Sequence, residues 1–332
     1  MNFFAYRKPG ETEVKAGCSH NLVKGFCNHS FIVAPFAAGY DRAYSIPVEQ
    51  EIHIGRLDEL LSRARIKEGL SDERLKSTEK IEHTALIESI REAIQKGKLK
   101  KCVASRILVC EGRVNLSRTF LNLCESYPDA FVFVFHTPES GTWMGASPEL
   151  LLSAHESCVK SMSLAGTRQA GSDDVWKDKE IREQEIVTEH IVKEFNSYGL
   201  CARTDGPVTR QAGPVEHLMS EIHADLPAGH DATRLLKTLQ PTPALCGEPL
   251  KDAMMHISEH ENFSRGYYGG FCGWFESSSD FDFYVNLRSF KILENSYDVF
   301  VGGGILEETD PDEEWAETEH KAKTVLSKIL LK

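Results

Sequence analysis

Apolar residues recur along this chain in two rhythms that alternate in blocks. Period-two or continuous apolar runs, rich in β-branched and aromatic residues, predict strands at 31–34, 100–109 and 131–135. Across 141–152 the pattern reads as a strand, a turn at Ser147-Pro148 and a second strand. A strand over 161–171 is expected to run into a turn at Gly166-Thr167-Arg168. Further strands are read at 214–226, 266–274, 281–292 and 297–306, the last two pairing antiparallel across Glu294-Asn295-Ser296. Helical spacing marks 56–67, 84–96, 120–127, 178–196, 232–239 and 252–261. In 84–96 the stripe is Leu86, Ile87, Ile90 and Ile94, and Gly97 sits where a left-handed C′ residue belongs. The segment 240–249 is rich in turn residues and reads as a loop.

Strand runs with helices between and after them, joined by many hairpin-length links, predict an α+β fold on a large, mostly antiparallel sheet. The sequence has no internal repeat, low-complexity tract or long Gly/Ser linker, so residues 1–332 read as one unit. The stretch 1–75 carries the least pattern and 80–332 the most.

Composition narrows the function. The 332 residues are 41% hydrophobic and 27% charged, which is globular. A net charge of -12 argues against a nucleic acid or an anionic membrane as partner. It also gives no long-range attraction for an anionic ligand, which would need a local cluster of Lys and Arg. Nine cysteines at irregular spacing, without a C-x-x-C pair, point to reduced thiols in a cytoplasm. Cys18-Ser19-His20 and Cys27-Asn28-His29 repeat a C-x-H spacing that zinc can use, though ordinary packing explains both. The start lacks an apolar run suited to a signal peptide, and no stretch nears the roughly 20 apolar residues of a membrane span. A cytoplasmic location is therefore expected.

The densest chemistry lies near the C-terminus. Gly302-Gly303-Gly304 closes a strand, Asp310 fits an N-cap, and Pro311 fits the first helical position. On the helix that follows, Glu314, Glu317 and Lys321 share one face. Two carboxylates and an ammonium so placed can hold a divalent cation with a carboxylated ligand; a solvated charged face is the plain alternative. Glu180 and Glu183 repeat the i, i+3 acidic pair in 178–196. Glu149 stands ahead of three leucines, where an unpaired carboxylate is costly. His217, inside a strand, reads as a hydrogen-bonded core histidine.

Seven ordered motifs then bear on the family. They are Lys101-Cys102-Val103-Ala104-Ser105-Arg106, Gly145-Ala146-Ser147-Pro148-Glu149-Leu150, Leu164-Ala165-Gly166-Thr167-Arg168, Lys179-Glu180-Ile181-Arg182-Glu183, Pro241-Thr242-Pro243-Ala244, Gly269-Gly270, and Glu314-Trp315-Ala316-Glu317-Thr318 with Lys321. Together, over 80–332, they make the chain similar to the chorismate-utilising enzymes: isochorismate and salicylate synthases, and the synthase components for anthranilate and aminodeoxychorismate. The resemblance implies two large, packed, mostly antiparallel sheets with helices outside. It implies Mg2+ as cofactor, with Glu183 and Glu317 as direct ligands and Glu180 and Glu314 as supporting ones. Arg288 and Lys321 would receive the carboxylates of chorismate, Gly303 and Gly304 would offer backbone donors, and Thr167, His217, Ala244 and Leu245 would line the substrate.

Within the family, the resemblance implies Lys101 as general base for water and Glu149 as general acid for the leaving hydroxyl. The lysine must be neutral to act, so burial or a neighbouring cation, Lys100 or Arg106, is expected to favour that form. The acid must be protonated, so its pKa is expected to be raised. Leu164-Ala165 stands where the aminodeoxychorismate branch often has a nucleophilic lysine. The ammonia-using anthranilate branch lacks the lysine at position 101, and the resemblance on both counts favours water over ammonia. The expectation is isochorismate synthase, serving menaquinone or a siderophore, without a glutaminase subunit and as a monomer. Salicylate synthase, an ammonia-using synthase component and a non-catalytic chorismate-binding module are the rivals. Gln184 and Gln240 replace histidines that many relatives carry, and the N-terminal portion is short for the family, so part of one sheet is expected to be trimmed.

Overall fold

The computed structural model describes residues 1–68, 75–171, 175–213 and 215–332. In chain order the strands are β1 (Asn2–Arg7), β2 (Lys15–Ser19), β3 (Val23–Lys24), β4 (Ser30–Ala34), β5 (Tyr44–Pro47), β6 (Gln50–Glu51), β7 (Lys101–Glu111), β8 (Phe131–Thr137), β9 (Gly141–Ser147), β10 (Leu150–His155), β11 (Cys158–Gln169), β12 (Arg203–Ala212), β13 (Val215–Asp225), β14 (Gly247–Glu248), β15 (Phe271–Ser277), β16 (Asp280–Val285), β17 (Ser289–Ile292) and β18 (Ser296–Ile305). The α-helices are α1 (Leu57–Glu68), α2 (Lys80–Gln95), α3 (Leu116–Ser126), α4 (Asp178–Ser197), α5 (Leu236–Leu239), α6 (Leu250–His260) and α7 (Pro311–Leu326).

Among the described residues the strands form two nine-stranded antiparallel sheets. One runs β14-β7-β18-β17-β9-β8-β1-β2-β6, the other β12-β13-β11-β10-β16-β15-β4-β5-β3. Aromatic side chains join their inner faces: Phe4 stacks on Phe31 at 4.8 Å and Phe131 on Tyr284 at 4.1 Å between ring centroids. Such pairs contribute about 0.5–1.5 kcal/mol each beyond their burial. Helices cover the outside. Leu57 of α1 and Phe120 and Leu123 of α3 pack with Val132 and Val134 of β8. Ile87 and Ile90 of α2 and Ala253 of α6 pack with Cys102 and Ala104 of β7.

Several elements differ from the pattern reading, each for a local reason. The 281–292 strand is two strands in different sheets, broken at Arg288, whose φ is +48°. Both halves are apolar, so alternation alone cannot mark the switch. Of the glycine-studded 266–274 segment only 271–274 is extended, as the start of β15; Gly266 and Gly269 have φ of +54° and +78° and turn the chain first. The Gly166-Thr167-Arg168 turn is a bulge within β11, with Gly166 at φ +67°. Strand β12 escaped notice because it is exposed along its length and has no buried alternation. Pro214, read as the start of a strand, lies outside the described residues. Residues 1–75 supply β1, β2 and β6 to one sheet and β3, β4 and β5 to the other, so the weakly patterned stretch is built into both.

Candidate active site

Two of the points at which the chain crosses between the sheets lie next to each other. Ser147-Pro148-Glu149 leads β9 of the first sheet into β10 of the second, and Asn286-Leu287-Arg288 leads β16 back into β17. The crossings are bonded together: Val285 N donates to Glu149 O at 3.1 Å, and Ala146 N to Arg288 O at 3.2 Å. Beside them lies a narrow cavity of about 70 Å³. Glu149 and Arg288 reach it from the crossings, Thr167 and His217 from β11 and β13, and Ala244 and Leu245 from the proline loop. Gly303 and Gly304 of β18, Lys321 of α7 and Glu183 of α4 complete its wall.

Lys101 opens β7 and is 0% exposed. Alternation along the strand sends Cys102 and Ala104 to the helices and leaves Lys101 and Val103 on the cavity side. Lys101 Nζ lies 3.0 Å from Glu183 Oε1, an ion pair by distance whose geometry falls short of a hydrogen bond. The cationic neighbours expected for it are elsewhere. Lys100 is exposed, and Arg106 faces α7, donating to Thr318 Oγ1 at 2.8 Å and stacking 3.8 Å over Trp315. Glu149 is 1% exposed, with Oε1 unpartnered. Burial pushes its carboxyl up to about 8, against a smaller downward pull from Lys101.

His217 lines the cavity, yet both ring nitrogens are engaged. Nδ1 lies 2.8 Å from Gly166 O, so it carries the proton; Nε2 then accepts from Arg288 Nη2 at 3.1 Å. Burial, with the charges of Arg288 and Lys321, pulls its pKa down to about 3, so the ring is neutral. Arg288 Nη1 also donates to Thr324 Oγ1 at 3.3 Å. The core-histidine reading was right about the bonding, and its partner is the guanidinium expected to take a carboxylate.

The four acids come from two helices, Glu180 and Glu314 from the first turns of α4 and α7 and Glu183 and Glu317 from the turns that follow. Asp310 caps α7, accepting from Asp312 N and Glu313 N. Glu314 is 2% exposed, with Oε1 unpartnered; burial, then Glu317, raises its carboxyl to about 8. Burial also opposes ionisation of Glu317, but Lys321 Nζ at 2.6 Å overrides it and holds that carboxyl below its usual range. Lys321 also donates to Gly302 O at 3.0 Å. Lys179 sits among all four acids, 3.8 Å from Glu314 Oε2, and they raise its pKa against the opposing effect of burial. A Cβ at Gly303 would push aside the Glu314 carboxylate, and one at Gly304 the ends of Glu183 and Lys101, so the absence of side chains here lets these groups lie against β18.

An all-carboxylate oxygen set with two unpartnered buried oxygens, Glu314 Oε1 and Glu180 Oε2, suits a hard divalent cation. With Glu183 turned to Lys101 and Glu317 to Lys321, no three His, Cys, Asp or Glu among the described residues converge as ligands in this arrangement. The C-x-H pairs do not converge either. Cys18 is buried, while His20 pairs with Glu49 at 3.3 Å and His29 with Glu276 at 2.5 Å.

Sequence reasoning missed three residues. Tyr268 lines the cavity from the turn misread as strand. Lys179 stood inside a quoted motif without a role. Arg265 is buried, pairs with Glu261 through Nε at 2.8 Å, and donates to Leu245 O at 2.5 Å and Val103 O at 2.9 Å, tying the Leu245 edge to β7. The i, i+4 Glu261–Arg265 spacing was the available signal. The two glutamines are structural: Gln184 donates to Ser163 Oγ at 2.9 Å, and Gln240 to Phe36 O at 3.0 Å.

The sequence model of the chorismate binding enzyme family matches residues 45–330, and the chain belongs to that family. Isochorismate synthase MenF of Bacillus subtilis is 31% identical over 256 residues, covering 73% of this chain and 54% of that protein. An anthranilate synthase component 1 of Halobacterium salinarum is 28% identical over 267 residues, covering 74% of this chain and 50% of its own. The chain thus spans about half the length of the curated relatives it matches. The solved structure of MenF, the menaquinone-specific isochorismate synthase from Escherichia coli, shares the fold with a TM-score of 0.80 at 22% identity, covering 99% of this chain and 88% of that one. No helix among the described residues is long and apolar enough to cross a membrane.

Proposed function

We propose that this chain, acting as one unit, is a magnesium-dependent isochorismate synthase. The observation that carries the reading is the pair Lys101 and Glu149: two fully buried ionisable groups close enough to interact, Glu149 lining the cavity and held protonated at neutral pH, Lys101 behind the lining residue Glu183 at 3.0 Å. Lys101 takes a proton from water as the water oxygen bonds to C2 of chorismate. Both ring double bonds shift, C1=C2 to C1=C6 and C5=C6 to C4=C5, the C4–O bond breaks, and Glu149 gives its proton to the departing hydroxyl, which leaves as water. One water is added and one is lost, so the product is an isomer of the substrate.

Arg288 and Lys321 receive the substrate carboxylates. Thr167, Ala244, Leu245 and the neutral His217 line the ring, and Gly303 and Gly304 bring backbone close to it. Glu183 and Glu317 would hold magnesium, with Glu180 and Glu314 behind them. When bound, the ion would neutralise and orient the ring carboxylate. Glu183 therefore has two claimants, the cation and Lys101. Leu164-Ala165 ahead of Gly166, with Lys101 in β7, supports water rather than ammonia as nucleophile, and no glutaminase subunit is needed. The product would feed menaquinone or a catechol siderophore.

The test is to incubate the purified protein with chorismate and magnesium, with and without ammonium, and identify products by chromatography and mass. A product isomeric with chorismate, formed without ammonium or free pyruvate, is expected. Salicylate with pyruvate would move the chain to the lyase branch, and an aminated product seen only with ammonium would overturn the role given to Lys101.

A further inference from the structure

Two larger cavities flank the catalytic one, and they differ in charge. One, of about 480 Å³, shares Thr167 with it and is lined by Glu180, Glu313, Glu314 and Glu317. The cations there include Lys179, engaged by Glu314, and Arg168, held by Glu216 at 2.8 Å. The other, of about 260 Å³, shares Pro148 and Arg288 with the catalytic cavity and also holds Arg210. Asp129 is the one acid among its lining residues.

We infer that the second of these cavities is the access vestibule for the dianionic substrate, with Arg210 as its outer carboxylate contact and Arg288 as its inner one. The inference rests on the chorismate reading above. Strand register places Arg210 directly opposite His217 across β12 and β13. Directly opposed residues of antiparallel strands share a face, with Cβ atoms about 4.5–5.5 Å apart. Arg210 therefore lies one strand outward from the histidine that holds Arg288. Arg288 stands at the wall between the cavities, bonded to His217 on one side and to Thr324, a vestibule residue, on the other. A neutral imidazole between the two guanidiniums adds no third charge to their repulsion. Arg210 is exposed and Arg288 partly buried, so the two guanidiniums step from solvent to site. On a chain of net charge -12, this mouth offers a dianion two guanidiniums against one acid, whereas in the other cavity Lys177, Lys179 and Arg168 are offset by four carboxyl groups.

Steady-state kinetics of Arg210→Gln and Arg210→Glu test this. Wild-type turnover is measured first, because absence of isochorismate there defeats the functional reading and not the vestibule. Given turnover, kcat/KM is expected to fall by about tenfold in the charge reversal and less in the neutral variant. The loss should lie in KM, with kcat within about twofold of wild type. The decline of kcat/KM with ionic strength should flatten in Arg210→Glu. Lys177→Gln, at the acidic cavity, should have a smaller effect on kcat/KM. Chorismate binding by calorimetry gives the same comparison in a protein that turns nothing over. Wild-type kcat/KM and salt dependence in Arg210→Glu, or an equal loss in Lys177→Gln, would overturn the vestibule.

Discussion

Arg288 holds a left-handed backbone, φ +48°, and gives a hydrogen bond at 3.1 Å to a histidine, His217, that cannot give one back. The ring's only proton is committed to Gly166 O, 2.8 Å from Nδ1. His217 is thus a positioning residue for the guanidinium. His217→Phe is expected to raise KM for chorismate by about tenfold with a smaller fall in kcat. His217→Gln, which can still accept from Arg288, should recover part of the loss. With its pKa near 3, His217 adds no step to the wild-type profile of kcat/KM between pH 5 and 8; a limb that vanishes in His217→Gln would contradict this.

Glu149 makes stability depend on pH. Its carboxyl titrates at about 8 in the folded chain, against an ordinary 4.5. As pH rises, the unfolded chain loses this proton first, so the folded state is progressively disfavoured from about 4.5 to about 8 and no further above that. Glu149→Gln removes the penalty. Its Tm advantage over wild type should be small near pH 4.5, grow up to pH 8, and then level. Turnover needs the protonated acid, so wild-type kcat should decline above about pH 8 and the variant should lose about 10²–10⁴-fold.

Lys101→Ala separates chemistry from binding. Turnover should fall by at least about 10²-fold, while calorimetry still detects magnesium-dependent chorismate binding, since Glu183 loses only its lysine partner. Near-normal turnover would remove the general-base role.

The close approach of β18 to the acids predicts that Gly303→Ala and Gly304→Ala abolish turnover. Circular dichroism should find the sheets retained, because the collisions fall on side-chain carboxylates and a lysine stem rather than on the ladder to β7. Full activity in either variant would mean that the acids sit farther from the strand.

The buried Glu261–Arg265 pair, both side chains 2% exposed, should tolerate loss of neither partner. Arg265→Leu leaves a charge without its counterpart, at a cost of about 3–5 kcal/mol. Denaturant unfolding measures it, and the double replacement of both residues by apolar ones should regain much of the loss.

What the sequence makes legible follows from locality. Helix α7 can be read from Asp310, Pro311 and the acids of one turn, and α4 from its spacing. The pairing of β17 with β18 follows from a short polar turn. The roles of Lys101 and Glu149 needed the family resemblance, because a lysine opening a strand and an acid after a proline have no signature of their own. The sheet switch at Arg288 depends on one dihedral angle in an apolar context, and β12 on an exposed edge. The bond from Arg288 to His217 joins residues 71 apart, which no local pattern encodes.

The paired crossings tie the proposed reaction to the architecture. Glu149 and Arg288 sit where the two sheets exchange strands, and backbone bonds fasten one crossing to the other. Any sliding of one sheet over the other displaces both residues together. On the proposed function, loss of activity in denaturant should therefore track the cooperative melting of the whole sandwich rather than precede it.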